Sequence, residues 1–218
     1  MKPSSKDIYN CFRQLLRKHF REYKPDEIHV HEIVQCMRKS YYERKYYSER
    51  LQHLSDTKCV ILGLGIAVHE SLERIFSNVF KTQSEKVFKK RIHVNGIGVD
   101  IVGTIDLYAD GTVMDIKTVN KIPDEPYLHH YLQLQAYMWL TDTYVSYIIY
   151  ICKRDGKVKI FTINRDERAI SQLLERAHYY YTCISSGIKP RPEKSYLCRY
   201  CEYAFECESI LNGDNNDG

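Results

Sequence analysis

The chain has 218 residues, 28% of them charged and 44% hydrophobic, with a formal net charge of +4. That length suffices for one sizeable core with a small appendage, and the mild basicity suits a polyanionic partner without requiring one. No run approaches the roughly 18 apolar residues of a membrane span, and the first 25 residues are rich in Lys, Arg and polar groups, so a protein of the cytoplasm is expected.

In chain order, residues 27–53 read as helical, with Tyr41, Tyr42, Tyr46 and Tyr47 clustered after Cys36. A second helix is predicted over 60–80. Strands follow at 87–94 and 99–108, joined by the tight turn Asn95-Gly96, and at 112–119, entered through Asp110-Gly111. Pro123 and Pro126 break the chain before a helix over 127–141. Strands at 144–152 and 157–163, then a helix over 166–186, close the main domain, and Pro190 and Pro192 lead into a cysteine-rich segment. This order predicts a mixed sheet covered by helices, α/β or α+β rather than all-β. The expected division is 1–59 as an N-terminal helical region, 60–190 as the core, 191–211 as the cysteine region and 212–218 as a disordered tail.

The Asp110-Gly111 turn fixes which residues oppose one another. A two-residue loop sets Asp106 opposite Asp115, their Cβ atoms roughly 4.5–5.5 Å apart on one face. Lys117 shares that face and Ile116 points the other way. Opposed carboxylates beside an ammonium suit a divalent cation such as Mg²⁺ or Mn²⁺, with the lysine placed to orient water or stabilise charge on phosphorus. A solvated surface hairpin is the bland alternative, but opposed carboxylates would destabilise such a sheet without a cation. In the preceding helix, Gly65 and His69 stand one turn apart. The glycine is expected to permit close approach to the sheet and His69 to offer a nitrogen to the same ion. Gln133 and Tyr137 are also one turn apart, and taken alone they read as an amphipathic helix with its tyrosine packed on the sheet.

Eight cysteines without a secretory leader suggest thiols or metal ligands rather than a disulfide framework, with disulfides left open for Cys11, Cys59, Cys152 and Cys183. Cys198, Cys201 and Cys207 need a fourth partner, for which Cys36 is chosen because Arg38 and Lys39 would stabilise a thiolate. Four thiolates suit either zinc or an iron–sulfur cluster. Arg38, Lys39, Tyr41 and Tyr42 are candidate DNA contacts, with bases stacked on the rings. Ordinary packing around the cysteines is an equal alternative for the tyrosines.

Gly65-x-x-x-His69, Gly103-x-x-Asp106, Asp115-Ile116-Lys117 and Gln133-x-x-x-Tyr137, bracketed by Cys36 and Cys198/Cys201/Cys207, resemble the ordered motifs of RecB-like nucleases with an iron–sulfur staple. The small RecB-like CRISPR-associated exonucleases are the family most similar in length and layout. The resemblance implies a restriction-endonuclease-like PD-(D/E)XK core and Mn²⁺ or Mg²⁺ held by His69, Asp106, Asp115 and the Ile116 carbonyl. It further implies a catalytic Lys117, with Gln133 and Tyr137 in support. It implies that the four cysteines hold a 4Fe-4S cluster, less often 2Fe-2S, and that the activity is 5′ to 3′ DNA exonuclease on single strands, trimming pre-spacer ends for a CRISPR integrase. Met37 stands where that family often has Pro. A viral or housekeeping repair nuclease, a nuclease-silent zinc scaffold and a homo-oligomer remain alternatives at this point.

Overall fold

The computed structural model describes residues 3–20, 23–109 and 111–207, with the backbone only at 84 and 85. The expected tail at 212–218, and Asp110 of the second turn, lie outside the described residues.

The sheet is mixed, and β3 (Ile97–Ala109) pairs with three of its strands. One edge of β3 pairs antiparallel with β2 (Gln83–Val94) along almost its whole length. The turn between them is Asn95-Gly96, with φ of 51° and 81°, the left-handed pair that a two-residue hairpin loop needs. The other edge is shared. β1 (Glu27–His29) runs parallel to residues 100–102, and β4 (Thr112–Val119) pairs antiparallel with residues 107–109. The stretch 103–106 lies between these two partners. β4 then pairs parallel with β5 (Val145–Cys152), which pairs antiparallel with β6 (Val158–Asn164).

A parallel β4–β5 pair requires a crossover, supplied by α5 (Leu128–Thr141). With α6 (Glu167–Ser185) it covers a core that includes Ile101, Ile105, Val113, Leu134, Met138, Ile148 and Tyr150. The expected α/β arrangement is therefore present. Among the described residues no helix is long and apolar enough to cross a membrane.

Two expectations are corrected. Residues 27–53 are not one helix. Glu27–His29 is drawn into the sheet beside β3, after which α2 (Val30–Val34) and α3 (Met37–Lys45) follow, and Tyr47–Glu49 forms a single 3₁₀ turn. The break after β1 is fixed locally by Glu32, whose carboxylate accepts the His29 N–H at 2.8 Å. Glu32 is fully buried and is also held by Arg44 through two hydrogen bonds at 2.5 and 2.7 Å and by the Tyr180 hydroxyl at 2.9 Å. Burial would raise the Glu32 pKa, but the bonds and charge of Arg44 hold it below the usual carboxylate value.

The second is one of detail: the region 1–59, expected to be helical, contains a helix α1 (Ser5–His19) that the element reading did not delimit. A reciprocal Ser4–Asp7 capping box opens it. Its Leu16 and Phe12 pack on α4 (Asp56–Phe80), where a Cβ on Gly63 would lie 2.5 Å from Phe12. Gly63, not Gly65, is the close-approach glycine of α4, since a Cβ on Gly65 would meet nothing within 4 Å.

Candidate active site and cysteine cavity

Helix α4 and strands β3 and β4 bring His69, Asp106, Asp115 and Lys117 together. The hairpin register runs from Ala109↔Thr112 to Leu107↔Met114. One step further the Asp106 carboxylate accepts the Ile116 N–H at 3.0 Å. His69 reaches down from α4 so that its Nε2 lies 3.1 Å from both Asp106 Oδ2 and the Ile116 carbonyl oxygen. On the neighbouring position of β4, Lys117 Nζ donates to Asp115 Oδ1 at 2.9 Å. Asp115 is 1% exposed, and its Oδ2 has no hydrogen-bond partner among the described residues.

Sequence reading missed Glu73. It is buried on α4 one turn beyond His69, and its Oε1 lies 2.7 Å from His69 Nδ1. The signal was the four-residue spacing on a helix face. The ligand atoms of His69, Glu73 and Asp106 lie within 4.8 Å of one another, the arrangement of a metal site. Glu73 nevertheless directs its oxygen at the far nitrogen of the ring, so it orients His69 while Nε2 faces the carboxylate side.

The electrostatics follow from burial and crowding. Burial, reinforced by Asp106, pushes the Asp115 pKa up to about 7 against the pull of Lys117. Burial also opposes ionisation of Asp106, but the His69 hydrogen bond and the Lys117 charge keep it below its usual value. Hydrogen bonds to Asp106 and Glu73 push His69 up to about 10 despite burial. Lys117 loses solvation, yet Asp115 and Asp106 hold its pKa above the ordinary value. The His69 nitrogen, the Asp106 carboxylate and the Ile116 carbonyl meet as donors of the kind Mg²⁺ or Mn²⁺ takes, and the orphaned Asp115 oxygen on the next strand position could supply a further one.

Helix α5 lies against this site. A Cβ on Gly103 would sit 2.6 Å from Leu140 and 3.0 Å from Tyr137, so the glycine of Gly103-x-x-Asp106 allows α5 to seat on β3. Tyr137 is buried there and accepts a hydrogen bond from Gln133 Nε2 at 2.8 Å. At the start of α5, Tyr150 Oη accepts the Tyr127 N–H at 3.1 Å and lies 2.8 Å from His130 Nδ1. Tyr150 is the β5 neighbour of Lys117. Burial and the Lys117 charge drive the His130 pKa down to about 2, so the ring beside Tyr150 is neutral.

The second cluster is a cavity of about 620 Å³ lined by Cys36, Cys198, Cys201 and Cys207. The chosen fourth cysteine thus shares one cavity with the C-terminal three. Cys36 sits at the N-cap of α3. None of the eight cysteines is in a disulfide, including the four left over. Among the described residues no three cysteine sulfurs lie within 4.8 Å of one another.

The four candidate DNA contacts fare unequally. Arg38 and Lys39 line the cavity, with Arg38 Nε donating to the Pro190 carbonyl at 2.8 Å and Lys39 3.8 and 3.7 Å from Glu43 and Glu202. Tyr41 donates to the Gly187 carbonyl at 3.4 Å. Tyr42 is corrected. It is 2% exposed, its ring stacks on Tyr46 and Tyr203, and its hydroxyl donates to the Glu206 carbonyl at 2.7 Å. That ring packs the cysteine region and is too buried to stack a base.

Comparison with known proteins agrees with this geometry. The family model of the PD-(D/E)XK nuclease superfamily matches residues 14–208. A protein of Saccharolobus solfataricus described as CRISPR-associated exonuclease Cas4 is 25% identical over 207 residues, 91% of this chain and 96% of the relative. The crystal structure of SSO0001 superposes with a TM-score of 0.78 at 23% identity, covering 96% of this chain and 98% of that one.

Proposed function

Because the chain belongs to the PD-(D/E)XK nuclease superfamily, we propose that it is a Mn²⁺- or Mg²⁺-dependent DNA exonuclease acting on single strands, 5′ to 3′, in the cytoplasm. It trims pre-spacer DNA for a CRISPR integrase and carries a 4Fe-4S cluster rather than 2Fe-2S. The likeness to a CRISPR-associated exonuclease over nearly the whole of both chains supports the biological role. The observation that carries the chemistry is the convergence of His69 Nε2 on Asp106 and the Ile116 carbonyl, with Asp115 and Lys117 joined beside them.

In this reading His69, Asp106, Asp115 and the Ile116 carbonyl hold the divalent ion, which when bound polarises the scissile phosphodiester and acidifies water. Glu73 fixes the His69 ring so that Nε2 is the nitrogen presented. Asp115 holds Lys117 with its ammonium in the site, where it stabilises negative charge developing on the phosphoryl oxygens as the leaving oxygen departs. Gln133 and Tyr137 brace α5 against β3 and so keep Asp106 in place. Arg38 and Lys39 remain proposed DNA contacts at the cavity, and Tyr41 a proposed contact outside its lining.

Cys36, Cys198, Cys201 and Cys207 hold the cluster, which joins the 1–59 region to the 191–211 region across the 60–190 core. The test uses end-labelled single-stranded DNA. The protein degrades it with Mn²⁺ and not with EDTA, and Asp115→Ala loses that activity while staying folded. An equally active Asp115→Ala overturns the assignment. A brown protein whose visible absorption is lost in Cys198→Ala is expected for the cluster, and a colourless zinc protein contradicts it.

A further inference from the structure

We propose that Tyr127 and His129, at the start of α5, form a stacking platform for an unpaired nucleobase of the DNA strand entering the active site. This rests on the nuclease reading and adds a base-binding subsite to it. The two rings are nearly parallel, 18° apart with centroids at 6.0 Å, and both line the cavity that the cysteines line. Tyr127 is 37% exposed, and its neighbour Leu128, also on the cavity wall, is 71% exposed.

Their position is fixed from the catalytic side. The Tyr127 N–H and His130 Nδ1 both bind the hydroxyl of Tyr150, whose partner across the β4–β5 ladder is Lys117. The platform therefore stands between the cysteine-lined cavity and the proposed catalytic lysine. Lys39 and Lys194 also line the cavity and carry positive charge for a phosphate backbone. Aromatic rings beside cations in a groove are what a single strand needs, because each base has a free face to stack while its phosphates seek cations. In a duplex both faces of each internal base are already covered, so this platform selects for an unpaired strand.

The experiment measures binding of labelled oligodeoxythymidine to the full-length, cluster-loaded protein in EDTA, with one abasic position walked along the strand. Base–aromatic stacking contributes about 1–3 kcal/mol, so an abasic nucleotide at one position is expected to weaken binding roughly 5- to 150-fold. Tyr127→Leu should weaken the intact strand by a similar factor and abolish that position's abasic penalty, whereas Tyr127→Phe keeps both. Duplex binding should be insensitive to either change. An abasic penalty of equal size in Tyr127→Leu and the parent, or none at any position, overturns the proposal. Cleavage with Mn²⁺ but no such coupling removes the platform alone. Coupling without any cleavage leaves the platform supported and removes the nuclease reading.

Discussion

At the carboxylate site, the charged side chains meet opposite charge within the fold: His69 lies between Asp106 and Glu73, and Lys117 is bound to Asp115. The groups sit on α4, β3 and β4, deep in the main sheet. Around the cysteine cavity the thiols come from opposite ends of the described chain and are brought together by ties such as Tyr42 to Glu206, Met37 to Glu193 and Arg176 to Glu193. The first site is organised by the core before a cation arrives, whereas in the second the proposed cluster would be the clip that closes a long loop. Loss of the divalent ion should therefore cost activity and little structure, and loss of the cluster should cost structure near the cavity first.

The largest effect belongs to Lys117→Ala. It removes the ammonium from an already assembled site, and the rate of Mn²⁺-dependent degradation should fall about 10²- to 10⁴-fold with little change in melting temperature. A wild-type rate would show that the carboxylate site is not where the chemistry occurs.

Next comes Glu32→Gln, on α2 just before Cys36. It leaves the Arg44 charge without its partner and should destabilise the protein by about 3–5 kcal/mol, read by denaturant titration. Hydrogen exchange should quicken in α2, α3 and the cysteine segment before β3 and β4, and uniform loosening would erase the distinction between the regions. Because the folded pKa of Glu32 lies below its unfolded value, its contribution is complete above the ordinary carboxylate pKa and is lost as pH falls through the lower folded value. Acid should accordingly loosen the cysteine side first.

Glu73→Ala tests the preorganisation of the cation site. Calorimetric titration should show Mn²⁺ affinity reduced about 10- to 100-fold, with partial recovery in Glu73→Gln, whose carbonyl still accepts from the ring. Unchanged affinity would remove Glu73 from the site. The smallest effects form a pair of glycines. Gly103→Ala drives a Cβ into Leu140 and Tyr137 and should cost about 1–3 kcal/mol. Gly65→Ala fills open space on a helix and should stabilise by about 0.5–1 kcal/mol, both read by thermal melts.

The same contrast governs what could be read from the chain. Local turn chemistry was legible: Asn95-Gly96 set the β2–β3 hairpin, and the register expected from Asp110-Gly111 appears in the pairs from Ala109↔Thr112 to Leu107↔Met114. That register pointed to Asp106, Asp115 and Lys117, and the bounds of β4 match the expectation. Non-local structure was not legible. Nothing near Glu27-Ile28-His29 announces a parallel partner 73 residues away, and the helical pattern around it dominated. The α1 helix was legible in principle, from its capping box and the spacing of Ile8, Phe12 and Leu15, but its surface polarity masked it. Glu73 carried no motif to single it out, and for Tyr42 the sequence left base stacking and packing around the cysteines equal, which its burial against Tyr203 decides for packing.

The most direct test of the central claim is anomalous diffraction from crystals soaked in Mn²⁺. The account predicts one strong peak coordinated by His69 Nε2, Asp106, Asp115 and the Ile116 carbonyl, with Lys117 beside it. Manganese bound elsewhere, with these groups still closed on one another, would contradict it.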